Sequence, residues 1–158
     1  IVCNAGTTLR RELKDITDED WERTMQVNLN SSLYLIRDLY DAIPHNSRII
    51  FIGSLMGVHP HGTSLAYGVS KAAVHALALN LVKSFEATDT TVNAIAPGFV
   101  ETEWQASKPA EIRQNIYAKS AVKRFASPDE VADAVMFCVR NAFVNGSVLE
   151  LSGGYSFK

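Results

Sequence analysis

Cysteine is scarce in this chain, with two in 158 residues. Cys3 and Cys138 form no CxxC pair, which excludes a disulfide framework and a thiolate zinc pattern and makes a reducing cytoplasm the default compartment. Neither sign of charge is in excess: 15 Lys and Arg against 17 Asp and Glu leave a net charge of −2. With no basic surplus to neutralise phosphates, a dedicated nucleic-acid binder is excluded. No apolar run is expected to reach the roughly 18 residues of a membrane span, and no charged-then-apolar leader precedes a cleavage site. No repeat or low-complexity segment is present. The chain also has no opening Met. It begins on Ile1-Val2-Cys3-Asn4-Ala5-Gly6, an apolar run that reads as the end of a buried strand, so something N-terminal to it is expected to be missing. What is there is ordinary globular material: 47% hydrophobic residues with a small net charge rule out disorder, and the length supports a single domain over residues 1–158.

The periodicity alternates between strand and helix. Thr17 caps a helix whose first turn carries Asp18, Glu19 and Asp20, and Trp21, Met25, Leu29, Leu33, Ile36 and Leu39 continue its apolar stripe to about Ala42. Arg48 to Gly53 is a short buried strand, and Ser54 to Thr63 a loop rich in Gly and His. A broadly apolar helix follows from Ser64 to about Glu86. Thr91 to Ala96 is a strand stopped by Pro97-Gly98, and residues 99–125 are polar and irregular with one weak helix around Ala110 to Lys119. Ser127, Pro128 and Glu130 open the next helix as cap, first helical position and capping-box partner. Ser147 to Leu151 is the last strand. Strands separated by helices imply an α/β fold with a parallel sheet and helices on both faces.

Tyr67 and Lys71 stand at i and i+4 on one helix face. A free phenol titrates too high for acid–base work at neutral pH, and a nearby ammonium would lower it. By itself the pair reads as a Tyr covering a Lys stem on a solvated face. Ser54 follows a strand end, Pro97-Gly98 follows the next, and Asn4-Ala5-Gly6 ends the first, so these segments gather where open α/β sheets bind ligands.

In this order the residues resemble the short-chain dehydrogenase/reductase family in its single-domain form. Asn4-Ala5-Gly6 is similar to the second half of that family's N-N-A-G motif, with Cys3 in place of the first Asn. Asn28, Ser54, Tyr67 and Lys71 resemble its catalytic tetrad, Pro97-Gly98 with Thr102 its P-G-x-x-x-T segment, and Ser152-Gly153-Gly154 its D-G-G strand end, with Ser152 replacing Asp. The resemblance implies the C-terminal part of a Rossmann-like doubly wound sheet and an NAD(P)-dependent oxidoreductase that interconverts a carbonyl and an alcohol, with 3-oxoacyl thioesters, small ketones and sugars as substrate classes. Tyr67 would be its acid/base and Ser54 would bind the reacting oxygen. Lys71 would lower the Tyr67 pKa and hold the ribose hydroxyls, and Asn28 would hold a relay water through its backbone. Asn4, Ala5, Gly6, Pro97, Gly98, Val100 and Thr102, with Tyr67 and Lys71, would contact NAD or NADP.

Residues 101–123 resemble the family's substrate lid, where Trp104 and Tyr117 either close over an apolar substrate or pack the lid itself. Arg124-Phe125 reads as structural. His59 and His61 flank Pro60 near the substrate mouth without enough ligands for a metal, so no metal is expected. The helices from Thr17 and Ser64 would pair with their copies in a homodimer or homotetramer, with Leu77, Leu81 and Phe85 near the contact. Absent from the pattern are the Gly-rich turn that holds the pyrophosphate and the residue that chooses NAD or NADP. On that ground the chain alone is expected to be inactive. Two alternatives stay open: a short non-catalytic assembly or binding module, and an enzyme that borrows cofactor contacts from a partner.

Overall fold

The structure, a computed structural model, describes residues 1–62 and 64–155, without the side chain of residue 104. Four parallel strands form one sheet in the order β1 (Val2–Cys3), β2 (Arg48–Ile52), β3 (Thr91–Pro97) and β4 (Val148–Leu151). Each crossover carries helix: α1 (Asp18–Met25) and α2 (Ser31–Asp38) between β1 and β2, α3 (Leu65–Leu81) between β2 and β3, and α4 (Glu103–Ala106), α5 (Ala110–Lys119) and α6 (Pro128–Arg140) between β3 and β4.

Side chains alternate across the strands, and the two faces collect two cores. Ile49, Phe51, Val92 and Ala94 join Ile36, Val74, Ala78 and Phe85 on one face. Ile50 and Ile95 join Ala134 and Cys138 of α6 on the other. All seven residues of β3 are buried, as a parallel strand covered on both faces requires. This is the doubly wound, Rossmann-like sheet with helices on both faces. Cys3 and Cys138 are free, buried and on opposite faces, and burial pushes both thiols up.

Three expectations change. The helix from Thr17 is not uniformly α-helical to Ala42: Thr17 caps it by accepting from the Asp20 N–H at 3.1 Å, and it runs unbroken to Asp38, but Gln26–Asn30 is a π-helical turn joining α1 to α2, and Tyr40–Ala42 is a 3₁₀ turn. Hydropathy at 3.6-residue spacing cannot register the one-residue slip of a π turn. Second, Leu65–Phe85 is long and apolar enough, by length and composition alone, to cross a membrane, contrary to the sequence reading. Here Ala66, Ser70, Lys71, Val74, His75 and Ala78 are its buried residues, and two of them are ionisable. Third, Leu77, Leu81 and Phe85 do not form a free contact face. Phe85 is 5% exposed and packs 5.3 Å from the Tyr40 ring, and Leu77 and Leu81 lie against the same core. The apolar side chains that α3 does expose are Leu65, Val69 and Leu79, on the opposite side of the helix. The stop-and-start signals at α6 hold: Ser127 and Glu130 form a reciprocal capping box, and Arg124 grips Glu130 through two 2.7 Å bonds, which makes Arg124 structural.

Candidate active site

Ser54 leaves the end of β2 and caps the 3₁₀ turn Leu55–Gly57, its Oγ accepting from the Met56 N–H at 3.2 Å. That turn presses against α3: a β-carbon on Gly57 would lie 2.7 Å from the Ala72 backbone nitrogen, so the close approach depends on glycine. The packing sets Ser54 and Tyr67 side by side on the lining of two clefts. Burial pushes the Tyr67 phenol up, and the Ser54 hydrogen bond opposes it. Lys71 is not among the causes of that shift. The Lys71 ammonium lies 5.8 Å from the Tyr67 ring centroid and donates instead to the Ile52 carbonyl at 2.8 Å. Lys71 is 4% exposed, and burial brings its pKa down to about 8.

Asn28 sits in the π turn, 1% exposed, and its amide is fully used. Its Oδ1 accepts from the Thr7 N–H at 2.7 Å, while its Nδ2 donates to the Thr7 carbonyl at 2.9 Å and to Ser70 Oγ at 2.8 Å. Ser70 Oγ in turn donates to the Tyr67 carbonyl at 2.7 Å. The Asn28 side chain thus ties the loop after β1 to the Tyr67 turn of α3. A π turn inside an α-helix commonly marks a functional position, because it redirects a side chain and frees a carbonyl.

The sequence reading missed His75. Its imidazole lies under the Ser54 loop, and Nε2 accepts the Ser54 N–H at 3.3 Å. A β-carbon on Gly53 would overlap that ring. An accepting Nε2 means a neutral imidazole; burial and the Lys71 charge hold its pKa below the usual value, with Glu150 opposing. The available signal was spacing: His75 follows Lys71 at i+4, on the buried face that already carried Tyr67 and Lys71.

Two clefts meet at this wall. One brings Asn4 and Gly6 together with Tyr67 and Lys71, and Pro97, Gly98, Val100 and Thr102 close its far side. Ala5 is exposed beside them and does not line it. The other cleft shares Ser54, Tyr67, Pro97 and Gly98 and continues past Met56 and Phe99 to Arg10 and Lys108. Ser54 and Tyr67 therefore line both. Lys71 Nζ spends one of its three donors on Ile52, which leaves two for a ligand's hydroxyls. Tyr117 lines neither cleft: its hydroxyl accepts from Arg113 at 2.8 Å and its ring packs 4.9 Å from Phe125, so it packs the segment itself. The Trp104 side chain lies outside the described residues. His59 approaches Glu150 at 3.5 Å, and no metal-binding cluster occurs among the described residues.

A family model described as Enoyl-(Acyl carrier protein) reductase matches residues 1–156. The chain belongs to the short-chain dehydrogenase/reductase family. Within that family it is similar to the 3-oxoacyl-[acyl-carrier-protein] reductase of Escherichia coli, 31% identical over 98% of this chain and 65% of the relative. It is also similar to the acetoacetyl-CoA reductase of Allochromatium vinosum, 30% identical over 98% and 64%. A solved metagenomic blue fluorescent protein in complex with NADPH superposes with a TM-score of 0.91 at 26% identity, covering 98% of this chain and 64% of that one. The chain thus spans 64–65% of the length of these dehydrogenase/reductase relatives.

Proposed function

We propose that the chain carries the catalytic residues of an NAD(P)-dependent oxidoreductase that interconverts a carbonyl and an alcohol. The observation that carries this is that Ser54 and Tyr67 together line two clefts, with the Lys71 ammonium 5.8 Å from the Tyr67 ring. The relatives' names favour 3-oxoacyl thioesters as the substrate class.

The cleft that holds Lys71 fits the nicotinamide end of a dinucleotide. The two remaining Lys71 donors suit ribose hydroxyls, and Asn4, Gly6, Val100 and Thr102 surround the same space. The chain has no Gly-rich turn for the pyrophosphate, so the fit extends to that end only. When bound, the nicotinamide supplies or accepts the hydride. Ser54 donates to the reacting oxygen and offsets its developing charge. Tyr67 gives its proton to that oxygen during reduction and takes one back during oxidation. Lys71, holding ribose hydroxyls, would bring its charge closer to Tyr67 and counter the burial that raises the phenol. Asn28 holds the Tyr67 turn in register through Ser70. A dimer or tetramer through the α3 face that exposes Leu65, Val69 and Leu79 completes the proposal.

The test uses full-length protein with C4-deuterated NADH and NADPH and a 3-oxoacyl thioester, with the product read by mass spectrometry. One deuterium at the new carbinol carbon is expected. Product without cofactor deuterium, or no product with either cofactor, refutes the proposal.

A further inference from the structure

The cleft that runs from Ser54 and Tyr67 towards α4 has an uncompensated positive end. Arg10 and Lys108 line it, and no acidic side chain does among the described residues. Neither cation has a carboxylate partner there, although most other arginines do: Arg11 pairs with Asp20, Arg113 with Glu101 and Arg124 with Glu130. Burial lowers the pKa of Lys108 and of His61, and the Arg10 charge adds to both, with Lys119 adding to the second. A second, independent observation lies in the same cleft. Gln105 Oε1 is buried without a hydrogen-bond partner, an acceptor left open beside the two cations. Leaving such a group unmet is unfavourable unless a ligand or water meets it. Leu55, Met56 and Phe99 add an apolar lining to the same cleft.

We propose that Arg10 and Lys108 bind an anionic group on the substrate, a carboxylate or phosphate, at the end of a short apolar stem whose carbonyl reaches Ser54 and Tyr67. A water held between the ligand and Gln105 donates to the amide oxygen and to the anion. A cation pair fixes the ligand's orientation by charge-assisted hydrogen bonds and leaves the carbonyl at the hydroxyl pair. The chemistry of this end sets specificity for charged over neutral carbonyl compounds. It rests on the oxidoreductase reading for the carbonyl end alone, and binding measurements test it separately.

The probes are acetoacetate and its neutral isostere methyl acetoacetate, titrated calorimetrically into full-length protein with and without NADPH. Acetoacetate should bind at least about tenfold more tightly than the ester, in line with a hydrogen-bonded charged group. Arg10→Gln and Lys108→Gln should each pull that ratio towards one, and added salt should narrow it. Glutaryl and phosphate-bearing probes then separate the two anion classes. Equal binding of acid and ester, preference for the ester, a ratio unmoved by both variants, or no binding of either probe overturns the proposal. If the ratio behaves as expected while no probe is turned over, the oxidoreductase reading fails and the anion site stands. Melting curves of both variants verify that each is folded.

Discussion

The wall that carries Ser54, Tyr67 and Lys71 and the segment 101–124 that faces it are built on opposite plans. On the wall the buried polar side chains are paired: Asn28 with Thr7 and Ser70, Ser70 with Tyr67, Lys71 with Ile52, His75 with Ser54. In the facing segment Ser120 is the only buried described residue, and α5 buries none. It is held by surface contacts, chiefly Arg113 with Glu101 and Tyr117, and it leaves Gln105 Oε1 unmet. Chemistry that needs fixed geometry sits on the over-determined side. On the proposed function, recognition, which must admit and release a ligand, sits on the side with the fewest buried residues.

Substitutions can break this contrast at graded cost. Asn28→Ala strikes the wall hardest, since it removes three hydrogen bonds, leaves the half-buried Thr7 N–H and carbonyl without their side-chain partner, and cuts the link to Ser70. A loss of about 3 kcal/mol in unfolding free energy is expected, read from urea denaturation. A loss below about 1 kcal/mol would show that water replaces the amide.

His75→Leu comes next and adds a pH signature. The variant leaves the Ser54 N–H unpaired, so near pH 7.5 it should be less stable than the parent by about 1 kcal/mol. In the parent the folded-state pKa of His75 lies below its ordinary 6.5. As pH falls through 6.5, the unfolded chain takes up a proton that the folded chain refuses, and stability drops. The variant lacks that loss, so the gap should narrow below pH 6.5. Melting temperatures across pH 5 to 8 check this; a constant gap contradicts the neutral-imidazole assignment. Lys71 faces His75 with like charge and Glu150 with opposite charge, so Glu150→Gln should deepen the acid loss.

The smallest effect is expected on the facing side. Arg113→Ala removes an exposed ion pair and the Tyr117 contact, and the melting temperature should stay within the scatter of the measurement. A large drop would mean that the segment is as rigid as the wall.

Much of this layout is legible in the chain because the signals are local. Strand and helix alternation, the Ser127 capping box, and the order of Asn28, Ser54, Tyr67 and Lys71 each follow from spacing and residue type. The π turn at Asn28 escapes because it alters helix register without altering polarity. His75 escapes because a lone histidine on an apolar helix face looks like any core residue until Gly53 and Ser54 are seen above it. That Leu77, Leu81 and Phe85 pack on the core escapes because α3 is apolar nearly all round, so pattern alone cannot say which side meets the sheet. Arg10 and Lys108 are nearly a hundred positions apart, and only the fold makes them neighbours of one cleft.

The central claim is that Tyr67 moves the proton. Its most direct test is the steady-state rate of Tyr67→Phe in the full-length protein, which removes the hydroxyl and keeps the ring, with a melting curve to show that the fold is kept. Turnover should fall by roughly a hundredfold or more while the melting temperature holds. Turnover near that of the parent would contradict the assignment.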